Sequence, residues 1–129
     1  MTVEAFPPAS PPPGPSARWV NSTASLTLTG TLTDVPGLTM TLALAGTYLV
    51  VCFFDFDINA TGQVGIGKLL VGGTQQTGEV HWINVNGRVT CGQQWVVAVA
   101  ANTVIKMQAS GGSGTIDSVH STLTATGPF

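Results

Sequence analysis

Charge is what this sequence has least of. Only 8 % of its 129 residues are Asp, Glu, Lys or Arg, about a third of the share usual in a soluble globular domain. The basic residues Arg18, Lys68, Arg88 and Lys106 stand singly, and the formal net charge is −2. No basic stripe exists to neutralise phosphates, which excludes nucleic acid as a partner. Hydrophobic residues make up 43 % of the chain. So few charges cannot clothe the whole surface, and part of it is expected to be covered by other protein.

Helical periodicity is missing too: no stretch sustains apolar residues at the 3.6-residue period. Long uniform apolar runs are missing as well. The richest stretch, 39–54, is interrupted by Thr41, Gly46 and Thr47, whereas a spanning helix needs about 20 predominantly apolar residues. No membrane association is expected. The first residues, Met-Thr-Val-Glu-Ala-Phe-Pro-Pro, lack the basic start and apolar core of a secretion signal, so synthesis in a cytoplasm is expected. The glycosylation patterns at Asn21-Ser22-Thr23 and Asn59-Ala60-Thr61 are then read as chance.

Reactive side chains are scarce. Cys52 and Cys91 are the two cysteines; both sit in strand-like text and read as buried free thiols of a reducing compartment, a disulfide being open if their strands face each other. His81 and His120 are far apart, and with Cys52, Cys91 and Glu79 they show no paired ligand spacing for a metal. No Gly-x-Ser-x-Gly occurs, nor any Ser, His and acid in an orienting context. Gly65-x-Gly67 lies in a strand-like run rather than before a helix, so it is no phosphate loop. Asp55, Asp57 and Asn59 share one parity and offer oxygens to Ca²⁺, but the EF-hand pattern is missing. They read chiefly as a solvated strand end that guards against edge pairing. As a carboxylate pair for glycoside cleavage, Asp55 and Asp57 lack an adjoining sugar platform. The expectation is no enzyme, no cofactor and no metal.

What is present is β-forming text. The central stretch runs from Gly46 to Ile58: Tyr48, Val50, Cys52, Phe54 and Phe56 fall on one face, and Leu49, Val51 and Phe53 on the other. Both faces are apolar, so this strand should lie between two layers. Leu26, Leu28 and Leu32 alternate with threonines, and Leu38, Met40, Leu42 and Leu44 with Thr39, Thr41 and Ala43, giving two half-buried strands. A turn is predicted at Asp34-Val35-Pro36-Gly37, and a two-residue hairpin at Asn86-Gly87. Further strands are predicted over 63–71, 80–85, 88–91, 95–100, 104–109 and 115–126. Gly65 and Gly67 share a face where a ring or backbone approaches closely. Trp95 is assigned to the core, and Trp82 is the tryptophan expected at the surface. About eight to ten short strands separated by turns give an all-β, antiparallel β-sandwich or barrel over residues 18–129.

Residues 1–17 form a separate region. The run Phe6 to Pro15 holds six of the eight prolines and cannot join a helix or a central strand. Polyproline II is its default form, at about 3.1 Å per residue. It reads as a disordered tail or, the preferred reading, as an extended arm docked on a neighbouring subunit. Phe6, Pro7, Pro8, Pro11, Pro12, Pro13 and Pro15 are the candidate contact residues of that arm.

With the strands placed, a family resemblance emerges. The block DVPGLTMTLALAGTYLVVCFFDF (34–56), followed by WVVAVAANTVIKMQA (95–109) and STLTATG (121–127), resembles phage virion proteins with a C1q/TNF-like jelly roll. Ala45-Gly46-Thr47-Tyr48 matches their pattern well; Ala101-Asn102-Thr103 departs from it where a glycine is usual. The resemblance implies a jelly-roll sandwich and a homotrimer with one sheet of each subunit packed about the three-fold axis. It also implies a non-enzymatic structural protein of a bacteriophage virion. A capsid decoration (cement) protein is favoured, its partner the major capsid protein or another virion protein. The alternative is a tail-fibre or tail-tip knob that recognises a host glycan or protein.

Overall fold

The computed structural model describes residues 14–58, 64–83, 87–112, 115–116 and 121–129. The chain forms the all-β antiparallel sandwich that alternation predicts. Its strands are β1 (Ser16–Asn21), β2 (Leu26–Thr27), β3 (Thr33–Leu42), β4 (Gly46–Ile58), β5 (Val64–Val71), β6 (Thr74–Gln75), β7 (Val80–Ile83), β8 (Gly87–Val99), β9 (Thr103–Gly111), β10 (Thr115–Ile116) and β11 (Thr122–Gly127). No helix occurs among the described residues, and so none is long and apolar enough to cross a membrane.

The first sheet is built on β4. Along its whole length, Gly46 to Ile58, β4 pairs with β8. Its other edge takes β11 at Leu49 to Phe53 and β10 at Phe56 and Asp57. Beyond these lie β1, paired with β11 from Ser16↔Gly127 to Asn21↔Thr122, and the short β2, paired with β10. The second sheet runs β3-β9-β5, with β6 and β7 both on β5. Strand β1 begins at Ser16, inside the segment 1–17 assigned to the arm.

The core lies where the two sheets face each other. From β4 come Val50, Cys52, Phe54 and Phe56, all fully buried; β5 and β9 answer with Leu69, Ile105 and Met107. The rings of Phe54 and Phe56 are tilted, with centroids 5.2 Å apart, a favourable aromatic geometry. Gly67 is the glycine that the packing demands. A methyl there would collide with the ring of Phe54, the close approach its strand position implied. Trp95 is in the core, and its indole N–H donates to the carbonyls of Thr77 (3.1 Å) and Gly78 (3.3 Å).

Four local expectations are corrected. The predicted turn at Asp34–Gly37 is an irregularity inside β3, where the register against β9 jumps between Asp34 and Thr39. Pro36 lacks a ladder donor and Gly37 takes φ +85°; Val35 and Leu38 are both buried, so burial continues the strand through residues that would otherwise reverse it. The threonine-rich stretch before it pairs only at Leu26–Thr27. Strands β7 and β8 do not form the hairpin predicted between them. They belong to different sheets, and Asn86 itself lies outside the described residues. Finally, 88–91 and 95–100 belong to a single strand, β8, because its pairing with β4 is unbroken from Gly87 to Val99.

Candidate assembly surface

Each sheet has an outward face, and one of them keeps its charges to one end. On β4 the outward residues are Leu49, Val51, Phe53, Asp55 and Asp57, the parity opposite to the buried Val50, Cys52, Phe54 and Phe56. Register places Thr122, Thr124 and Thr126 of β11 beside them, then Ala17, Trp19 and Asn21 of β1. On the other side stand Arg88, Thr90, Gly92, Gln94 and Val96 of β8. Trp19 is 68 % exposed, Phe53 49 % and Val96 74 %.

The charges of this face gather at one end, where Asp55, Asp57 and Arg88 meet. Arg88 Nη2 lies 2.7 Å from Asp55 Oδ2. The predicted wet strand end is thus only half wet: Asp57 is exposed, whereas Asp55 is buried at 8 % exposure beneath the guanidinium. The backbone N–H of Asp55 donates to Ser121 Oγ at 3.0 Å. A carboxylate buried with its cation is neutralised within the subunit and leaves little net field on the face. Asn59, the third oxygen donor of the calcium reading, lies outside the described residues.

Between Phe53 and β8 the face is hollowed. The Phe53 ring packs against Gly92, where a methyl would stand 2.5 Å from Phe53 Cδ1 and 2.6 Å from Cε1. The shallow hollow is lined by Val51, Phe53, Gly92, Gln93 and Gln94. A second, smaller cleft opens where the chain ends approach, between Arg18, Leu42, Tyr48 and Pro128. There Tyr48 O–H donates to the Leu44 carbonyl at 2.9 Å and Arg18 Nη1 to the Thr41 carbonyl at 3.0 Å. Both polar groups are occupied by backbone oxygens of the chain itself.

The remaining candidates are dispersed. Cys52 and Cys91 are free thiols, and burial raises the pKa of both, Cys52 far more; such thiols are poor nucleophiles. His81 Nδ1 lies 3.5 Å from Glu79 Oε1 on β7's side of the second sheet, while His120 is outside the described residues. No group of three potential metal ligands occurs among the described residues. Of the arm residues, Phe6, Pro7, Pro8, Pro11, Pro12 and Pro13 are outside them too, and Pro15 is exposed just before β1. Trp19 is exposed, whereas the sequence favoured Trp82 as the surface tryptophan, and the side chain of Trp82 lies outside the described residues. The signal for Trp19 was parity: it shares a face with Ala17 and Asn21, against the half-buried Val20.

No family model and no curated protein matches the chain. Solved structures do. Murine APRIL at pH 8.5 superposes with a TM-score of 0.61 at 10 % identity, covering 87 % of this chain and 98 % of that one. Eiger TNF from S. frugiperda gives 0.63 at 9 % identity, covering 88 % and 92 %. A chain of the T13 viral particle of infectious bursal disease virus gives 0.64 at 11 % identity; it matches 98 % of this chain, which spans only 35 % of the viral one. At such identities the likeness is one of fold, and the fold is the TNF-like jelly roll.

Proposed function

We propose that this chain is a non-enzymatic structural virion protein whose copies associate through the outward face of the first sheet. The observation that carries the reading is that face: Trp19, Phe53 and Val96 stand exposed on it, and its one described ion pair is closed within the subunit at its end. An apolar sheet face of this kind is a site for protein contact. The likeness to a viral particle chain supports a place in a capsid. The resemblance to phage virion proteins narrows the proposal to a homotrimer that decorates and cements a bacteriophage head lattice, the first sheets facing the three-fold axis. The Pro-rich segment serves as an arm onto neighbouring capsid subunits.

Because β1 begins at Ser16, the arm is best removed by starting the chain at Gly14. Sedimentation equilibrium of the truncated protein should still give the trimer, and binding to undecorated heads should be lost. Truncated protein that coats heads as the full chain does would refute the arm's role. Binding of intact protein to host-cell glycans rather than to heads would replace cementing by receptor recognition.

A further inference from the structure

The assembly face carries both a projection and a recess, on different strands. Trp19 of β1 projects, 68 % exposed, from a row that continues through Thr124 and Val51 to Gln94. The recess is the hollow over Gly92, walled by Phe53 and Val51. With strands about 4.8 Å apart, the indole and the hollow are separated by roughly 12 Å within one subunit, so Trp19 does not fill its own subunit's recess. We propose that the occupant of the recess is the Trp19 indole of a second copy of this chain. This rests on the self-association reading above and specifies its central contact.

Three observations single out a second copy. The projection and recess lie on one continuous face, so every copy both offers an indole and can receive one, and the same contact repeats at each junction of a symmetric assembly. The chemistry matches, because Val51 and the Phe53 ring packed against Gly92 offer an apolar surface. The side-chain amide of Gln94 stands at the rim, where an indole N–H needs an acceptor once desolvated. The surroundings match too: Thr122, Thr124 and Thr126 bring no charge that would have to be stripped of water. Large aromatics seated in such pockets dominate the energy of protein interfaces.

The test is a double-mutant cycle on self-association of the full chain, read by sedimentation equilibrium, with circular dichroism as the check on folding. Trp19→Ala should weaken association about thirtyfold and Phe53→Ala about tenfold, the scale of buried interface aromatics. The double variant should be weaker than Trp19→Ala by no more than about twofold, because the two side chains meet across copies. Residues that far apart in one chain would instead act independently, giving a product of about three hundredfold. Wild-type protein that stays a single copy at tens of micromolar overturns the self-association reading, and this contact with it. Wild-type protein that associates, with Trp19→Ala equally tight or with a fully multiplicative double variant, leaves that reading standing and overturns the Trp19 seat.

Discussion

Along β9, Lys106 Nζ lies 3.0 Å from Asp34 Oδ1, and Gln108 donates to the same oxygen at 2.7 Å. Beside them, Lys68 Nζ lies 3.0 Å from Glu79 Oε2, with His81 on the far side of that carboxylate. Across the sandwich, β4 turns Leu49, Val51 and Phe53 outward. Both faces belong to antiparallel sheets that share one core, yet one carries a dressed, ion-paired surface and the other a bare one. A sheet that ends in solvent needs its outer row polar. The second sheet has such a row on β9, whereas the row on β4 opens with Leu49, Val51 and Phe53. The lesson is that low overall charge is not spread evenly: Arg18 apart, the described charges are spent on one face and on one end of the other.

Four experiments would break or sharpen that contrast, in order of expected effect. Phe54→Ala empties a core position that both sheets share and should cost about 3–5 kcal/mol of stability, read by chemical denaturation; it sets the scale for loss of fold as opposed to loss of a face. Val96→Glu on the bare face should weaken self-association about a hundredfold with the melting temperature nearly unchanged, because the carboxylate would have to be desolvated. The matched Val104→Glu on the dressed face should leave association as it was, and an equal loss from both would erase the contrast. Gly92→Ala should weaken association about tenfold, since its methyl displaces the Phe53 ring, while the half-exposed ring can swing aside with little loss of stability.

The smallest effect is on pH. Hydrogen bonds from Gln108 and then Lys106 lower the pKa of Asp34, and Lys68 does the same for Glu79. A carboxylate lowered in the folded state contributes stability above its unfolded pKa, near 4, and loses it as pH falls through the folded value. Both acids are substantially solvated, so together they are worth no more than about 1 kcal/mol. Acid melts below pH 4 should show this limb, and Asp34→Asn with Glu79→Gln should flatten it.

Much of the fold was legible because alternation is a strong signal where one side of a strand is buried: β4, β9 and the inward set of β11 follow it residue by residue. It failed where tertiary burial overruled local chemistry. Pro36-Gly37 reads as a reversal, but with Val35 and Leu38 both in the core the chain absorbs it as a bulge. Asn86-Gly87 reads as a hairpin, but its flanking strands find better partners in separate sheets. The assembly face was legible only as a deficit of charge. Locating it took register, because Trp19, Val51 and Gln94 lie far apart in the sequence and share a row only after β11 has joined β1 to β4.

That last strand has a consequence for the order of events during synthesis. β11 lies between β1 and β4, so β1 cannot join β4 and β8 in the sheet until β11 has been made. Pairings of such wide sequence separation are slow to form. Trp19 and the hollow over Gly92 acquire their mutual spacing only then. A chain ending before Ser121 is therefore expected to remain unassociated in sedimentation even where wild-type chains pair. On the proposed assembly, strand β11 acts as a proofreading step: only a subunit translated through it presents the surface by which copies are joined.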